Sequence, residues 1–152
     1  MQIITEPRVT LITRQVFIYP EHIDWRRLGL LDADGACRLV FSESDGLPGL
    51  IVDRYRDHLV CQFLSAGSER WRDVIVGALD ELLTPRGIHE RSETDARRKE
   101  GLEPRRGLLA GSEPERPVEI VDYGLRLLVD LSAGQKTGTY LDQGRNRKRV
   151  AA

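Results

Sequence analysis

The sequence predicts an α+β protein: an antiparallel meander with one covering helix and a returning strand, followed by a β-hairpin and the start of a C-terminal helix. Three observations carry that prediction. Residues 38–64 hold three strand-like runs, RLVFSE, GLIVDRY and HLVCQFL, separated by short turn-forming segments. Residues 69–83 place Trp71, Val74, Ile75, Ala78, Leu79 and Leu82 at the spacing of one apolar helical face. GIHERS at 87–92 then resumes a strand pattern.

Taken in order, residues 3–19 carry Val9, Leu11, Val16 and Ile18 in loose alternation, which predicts one or two strands. After Pro20, Ile23, Arg26, Arg27 and Leu30 give a short helical period that Gly29 weakens. Between the first two firm runs, Asp45-Gly46 and Pro48-Gly49 force tight turns. Cys61, in the middle of the third run, reads as core. Ser68 is the expected cap of the 69–83 helix, and Pro85 and Gly87 end it. Burying that helix's stripe on the sheet contributes about 1.5–3 kcal/mol for each large side chain removed from water. His89, between strand residues, reads as structural or exposed rather than as acid–base equipment.

Residues 94–117 are polar and punctuated by Gly101, Pro104, Gly107, Gly111, Pro114 and Pro117, so they predict a connection with a brief helical turn in DARRKEG. Residues 118–131 read as a hairpin, VEIVD, a Tyr-Gly turn, then LRLLVDL. Its alternation puts Leu125, Leu127, Val129 and Leu131 on one face. The chain thus divides into 1–37, 38–116 and 117–152.

Composition bounds the function. Twenty-three basic and twenty-four acidic side chains leave a net charge of −1, so any nucleic-acid surface must come from local clusters such as Arg97-Arg98-Lys99, Arg105-Arg106 and residues 145–149. The first two are interleaved with acids and read as solvated surface. Cys37 and Cys61 lack metal-ligand spacing, and with no disulfide framework they point to a reduced, cytoplasmic setting. No apolar run approaches membrane-spanning length, and no metal site is expected.

The densest chemistry lies in 132–149, SAGQKTGTYLDQGRNRKR. Gly134 and Gly138 flank a lysine and a threonine, which suits close approach to a polar or anionic ligand. Tyr140, Asp142, Gln143, Arg145 and Asn146 then crowd donors, acceptors and a ring into seven residues.

GQKTGTYLDQ, together with FSESDGLPGLIVDRY at 41–55 and HERSETDARRKEGL at 89–102, resembles the class I S-adenosylmethionine-dependent methyltransferases that modify carbon 5 of cytosine in large-subunit ribosomal RNA. The resemblance spans about residues 38–149. It implies that Thr137, Tyr140 and Gln143 face S-adenosyl-L-methionine, and that Lys136, Asp142 and Arg145 lie on the RNA side. It implies ribosomal RNA as partner. It also implies that residues 1–37 are the tail of a PUA-type barrel and its linker, with no room for the whole barrel. Arg91, Arg97 and Glu100 match the second motif in location, and no catalytic role is carried over to them.

Three departures stand out. Arg56 takes a turn position where the family commonly has glycine, which would strain a turn of positive φ and lengthen the loop. Thr139 replaces an aromatic residue. Gly144 replaces an arginine, with Arg145 one position and about 100° further round a helix.

In that family the cofactor is held by a glycine-rich turn after the first parallel strand and by an acid after the second, and a downstream cysteine adds to the base. Neither unit is found, and Cys37 and Cys61 match no such position. The expectation is therefore a truncated representative, inactive alone, with no catalytic residues of its own. Alternative readings are a non-enzymatic RNA-binding module, or a subunit that completes a catalytic chain in trans and self-associates through an exposed hairpin.

Overall fold

The computed structural model describes residues 33–150, with 116 and 135 excepted. The strands expected within 3–19 and the helix after Pro20 lie outside the described residues. Five strands, β1 (Ala36–Phe41), β2 (Leu50–Tyr55), β3 (His58–Phe63), β4 (Gly87–Ser92) and β5 (Arg105–Gly111), form one sheet in the order β1-β2-β3-β4-β5. All neighbours are antiparallel except β3 and β4, which run parallel. A parallel pair needs a crossover, and the segment between them supplies it as helices α1 (Ala66–Arg70) and α2 (Arg72–Leu83).

Strand alternation explains the core. Val52, Leu59, Cys61, Phe63 and Ile88 point to the helix side and meet Ile75, Ala78 and Leu79 of α2. On the other face, Tyr55 and Val60 meet Val118, Ile120, Val129 and Leu131. The last four belong to, or directly follow, a hairpin of β6 (Val118–Asp122) and β7 (Leu125–Val129). The sheet is therefore covered on both faces.

Several expectations are corrected. The helix is capped by Ser65, whose side chain accepts from the Ser68 N–H while Ser68 reaches back to the Ser65 N–H. Ser68 is thus inside the capping box rather than the cap. Trp71 sits at the break between α1 and α2 and is 49% exposed, off the buried stripe.

Residues 105–111, expected to be connection, form the edge strand β5. Its pattern hides it, because Gly107 and Gly111 punctuate a strand whose side chains are mostly exposed and which pairs only with β4. Gly111 is required there: a Cβ would lie 2.3 Å from the Arg86 carbonyl oxygen, and its φ is +74°.

The apolar hairpin face whose exposure would favour the self-associating alternative turns inward, with Val129 and Leu131 each 3% exposed, because the second face of the sheet needs cover. Val121 and Leu128 occupy the outer face instead, at 41% and 73%. Arg97, in the short helix α3 (Asp95–Lys99), is no surface cation. It is 1% exposed, donates to the carbonyl oxygens of Phe63 and Glu103, and pairs with Glu69 at 2.7 Å. Arg56 does adopt φ +56°, yet the turn keeps two residues, since Tyr55 pairs directly with His58. Arg56 is steadied by an Asp34 ion pair at 2.7 Å, and its carbonyl accepts from Arg54 Nε.

Among the described residues no helix is long and apolar enough to cross a membrane. Both cysteines are free and buried.

Candidate functional site

The loop after β7 runs from Leu131 to the 3-10 turn Leu141–Gln143 and enters helix α4 (Gly144–Val150). Its first bend is made locally. The Asp130 carboxylate accepts from the N–H groups of Ser132 and Ala133 and from the Ser132 hydroxyl, while the Gly134 N–H donates to the Asp130 carbonyl. Those bonds, the Ser132 hydroxyl first, hold the Asp130 carboxyl below its ordinary pKa.

The bend is then fixed to β4. Arg91 donates to the carbonyl oxygens of Leu131 and Gly134 at 3.1 and 2.9 Å, and Arg106 of β5 reaches the Ser132 carbonyl. Gly134 is needed for space, since a Cβ would lie 2.3 Å from the Gly138 carbonyl oxygen.

Beyond the bend, the predicted residues separate into an inner and an outer group. Thr137 points inward and is 1% exposed. Its hydroxyl donates to Asp53 Oδ2 at 2.6 Å and lies 2.9 Å from the Tyr55 hydroxyl. A hydroxyl carries one proton, and an ionised carboxylate only accepts, so Tyr55 donates to Thr137. The Thr139 N–H in turn donates to Tyr55 Oη at 3.2 Å. Arg38 completes the chain, bonding both Asp53 oxygens at 2.7 and 2.8 Å. That bond raises the Arg38 pKa further, and burial raises the Tyr55 phenol. Arg38 reaches Asp53 beside a bulge in β1, where the register with β2 shifts between Arg38 and Val40.

Lys136, Tyr140, Asp142 and Gln143 face outward. The Lys136 ammonium stands 4.5 Å from the centroid of the Tyr140 ring, which is 39% exposed. Asp142 and Gln143 are exposed in the 3-10 turn, and the Gln143 side-chain Oε1 accepts from Asn146 Nδ2 at 2.6 Å. Arg145 falls within α4. The structure thus brings Lys136 to Tyr140 and Gln143 to Asn146, and it turns Thr137 away from them. At position 144 a Cβ would lie 2.6 Å from the Tyr123 ring, so glycine suits this chain's packing. Arg147 anchors α4 by pairing with Asp122 and donating to the Tyr140 carbonyl.

Sequence reasoning missed Asp53, Tyr55, Arg38 and Arg91 as supports of this loop. One signal was present: Asp53 and Tyr55 share the phase of GLIVDRY opposite to Leu50 and Val52, so a carboxylate on a face that must be covered needed partners.

A second polar feature lies on the same face of the sheet. His58 Nδ1 and His89 Nε2 are 3.2 Å apart, His89 Nδ1 stands 3.4 Å from Glu113, and His58 Nε2 stands 3.8 Å from Asp57. Burial lowers the pKa of both imidazoles. His58 borders a cleft of about 620 Å³ whose other lining residues include Arg56, Arg86 and Leu128. Among the described residues no cluster of His, Cys, Asp or Glu could hold a metal.

No family model matches the chain. It is 51% identical over 110 residues to the ribosomal RNA large subunit methyltransferase I of Shewanella denitrificans, covering 72% of this chain and 28% of that protein. It is 48% identical over 123 residues to the protein of the same name from Aliivibrio fischeri (strain MJ11), covering 80% of this chain and 31% of the relative. The chain therefore spans about three tenths of the length of these relatives. Among solved structures, a protein from Streptococcus mutans classed as a SAM-dependent methyltransferase superposes with a TM-score of 0.74 at 21% identity, over 98% of this chain and 37% of that one. Another, SMU.776, classed as a methyltransferase and complexed with SAH, gives 0.75 at 21% identity, over 99% and 36%. At that identity the superpositions establish the fold.

Proposed function

On the premise that this chain is a homologue of part of the ribosomal RNA large subunit methyltransferases I, at about half identity over some three quarters of its length, we propose that it furnishes one wall of an S-adenosylmethionine site and part of the approach to it for ribosomal RNA. The observation that carries this reading is the outward half of the loop. A tyrosine ring with an ammonium beside it, followed by the exposed amide of Gln143, stands on a segment tied to the sheet. Tyr140 and Gln143 would take the cofactor side, by stacking and by hydrogen bonding. Lys136, Asp142 and Arg145 would take the RNA side, the lysine as a phosphate contact. Bound there, the cofactor would supply a methyl sulfonium as the methyl donor.

The fit is that of a wall rather than a pocket. The one parallel strand pair among the described residues, β3 and β4, is joined through a helix capped by serine, with no glycine-rich turn after β3 to receive a nucleotide. Neither cysteine suits nucleophilic attack. Burial raises the Cys37 thiol to about 11 and drives the fully buried Cys61 higher still. These 152 residues alone are accordingly proposed to be inactive in methyl transfer while retaining contact with RNA.

The test pairs two assays on the purified chain. Incubation with ribosomal RNA and labelled S-adenosylmethionine should give no transfer above a no-enzyme control. Binding of ribosomal RNA fragments should weaken with salt, and Lys136→Ala should lower the salt slope by about one phosphate contact. Sustained turnover, or RNA binding indifferent to salt and to Lys136, contradicts the reading.

A further inference from the structure

We propose that Asp53 is a positioning residue: acting through Thr137 and Tyr55, it locks the loop that displays Lys136, Tyr140 and Gln143 onto the central sheet. The role of Thr137 on this view is to hold the loop rather than to touch a ligand.

The geometry supports this in three ways. First, the bonds form one directed chain, from the Thr139 N–H to Tyr55, from Tyr55 to Thr137, and from Thr137 to Asp53, closed by Arg38. Asp53 and Tyr55 are 0% exposed and Thr137 1%, so water cannot substitute for these partners without opening the structure. Only one hydroxyl proton is available at Thr137, and the carboxylate takes it.

Second, Lys136 holds φ +53°, a left-handed conformation that a β-carbon disfavours. Strain of that kind persists where the surroundings fix it, and the adjacent Thr137 is held by two buried side-chain hydrogen bonds. The conformation that presents the ammonium to the Tyr140 ring thus depends on the bond one residue later.

Third, the packing around the clamp leaves no slack. A Cβ at Gly138 would lie 2.8 Å from Val129 Cγ1 and 3.0 Å from Tyr55 Cζ, so the loop backbone lies directly on the phenol that holds it. Arg91 fixes the upstream end of the same loop to β4, and Arg147 fixes the downstream end to Asp122. Asp53 therefore governs the middle of a segment whose ends are separately tied.

The clamp stands on these contacts alone. Its value for a ligand rests on the function proposed above. The experiment uses the full chain without cofactor or RNA, so the two can fail separately. Thr137→Val removes the hydroxyl at nearly constant shape, and Thr137→Ser restores it. In T137V the Thr139 amide should lose about tenfold in hydrogen-exchange protection. The ring-current shift that Tyr140 imposes on the Lys136 side chain should shrink, while the amides of β3 keep their protection. In T137S both loop signals should return to within about threefold of the parent, the margin expected for a hydroxyl with slightly freer rotamers. Loop protection and Lys136 shift unchanged in T137V would overturn the proposal. So would an equal loss across β3, which would mark a general stability effect.

Discussion

At the level of single residues, chemistry on the sheet is decided by what covers it. His58 and His89 sit on the hairpin side of the sheet within a chain of polar contacts from Asp57 to Glu113, and Arg86 adds a repelling charge to His58. The two carboxylates favour protonation, but burial is the larger effect at each ring and lowers both pKa values. A depressed folded pKa means that the unfolded chain binds protons first. The stability from this pair is thus complete above the unfolded value of about 6.5 and is lost as pH falls through it toward the folded values. Glu69 and Asp130, whose pKa values are lowered, lose their contributions only in the more acidic carboxylate range. Urea denaturation at neutral pH and near pH 5.5 should show a falling midpoint in the parent and a flatter response in a His58→Gln, His89→Gln double variant. Equal pH dependence in the two proteins would exclude the pair as its source. The sequence offered His89 as a lone histidine; its partner could not be found without the parallel register that sets Val60 opposite His89 and His58 opposite Gly87.

Among the elements, those with a strong period were legible and those with a weak one were not. GLIVDRY and HLVCQFL alternate with clear apolar phases, and both are strands in place. The α2 stripe was readable at Ile75, Ala78 and Leu79, but α1 ahead of it starts at a capping box whose serines resemble loop residues, and the break at Trp71 carries no side-chain cap to mark it. β5 was hidden because an edge strand with glycines and exposed arginines has neither period nor apolarity. The hairpin was found, yet the direction of its apolar face was not, because alternation says which residues share a face and not what lies opposite. That face packs on Tyr55 and Val60, while Val121 and Leu128 remain outside. A two-stranded sheet held through one face is the less stable unit. Amides of β6 and β7 should therefore exchange faster than those of β2 to β4, and equal protection across both sheets would contradict this ordering.

For the molecule as a whole, the loop was legible as a candidate site and its support was not. GQKTGTYLDQ advertises itself by density of polar groups, whereas the carboxylate and phenol that hold it lie some eighty positions earlier, at separations of 84 and 82 residues. Only the fold joins them. It makes the sheet the base on which the loop stands, with β2 supplying the clamp, β4 the upstream tie and the hairpin the downstream one. In the proposed function that surface has one ring, Tyr140, and one amide, Gln143, to offer a cofactor. The most direct measurement is a nuclear magnetic resonance titration of the full chain with S-adenosylhomocysteine. The account predicts shifts confined to Lys136, Tyr140, Gln143 and their neighbours, without saturation below about 1 mM, the affinity of roughly −4 kcal/mol that a single open wall can reach. Saturable binding in the micromolar range, or shifts centred on His58 and Arg86 that leave Tyr140 and Gln143 unmoved, would contradict it.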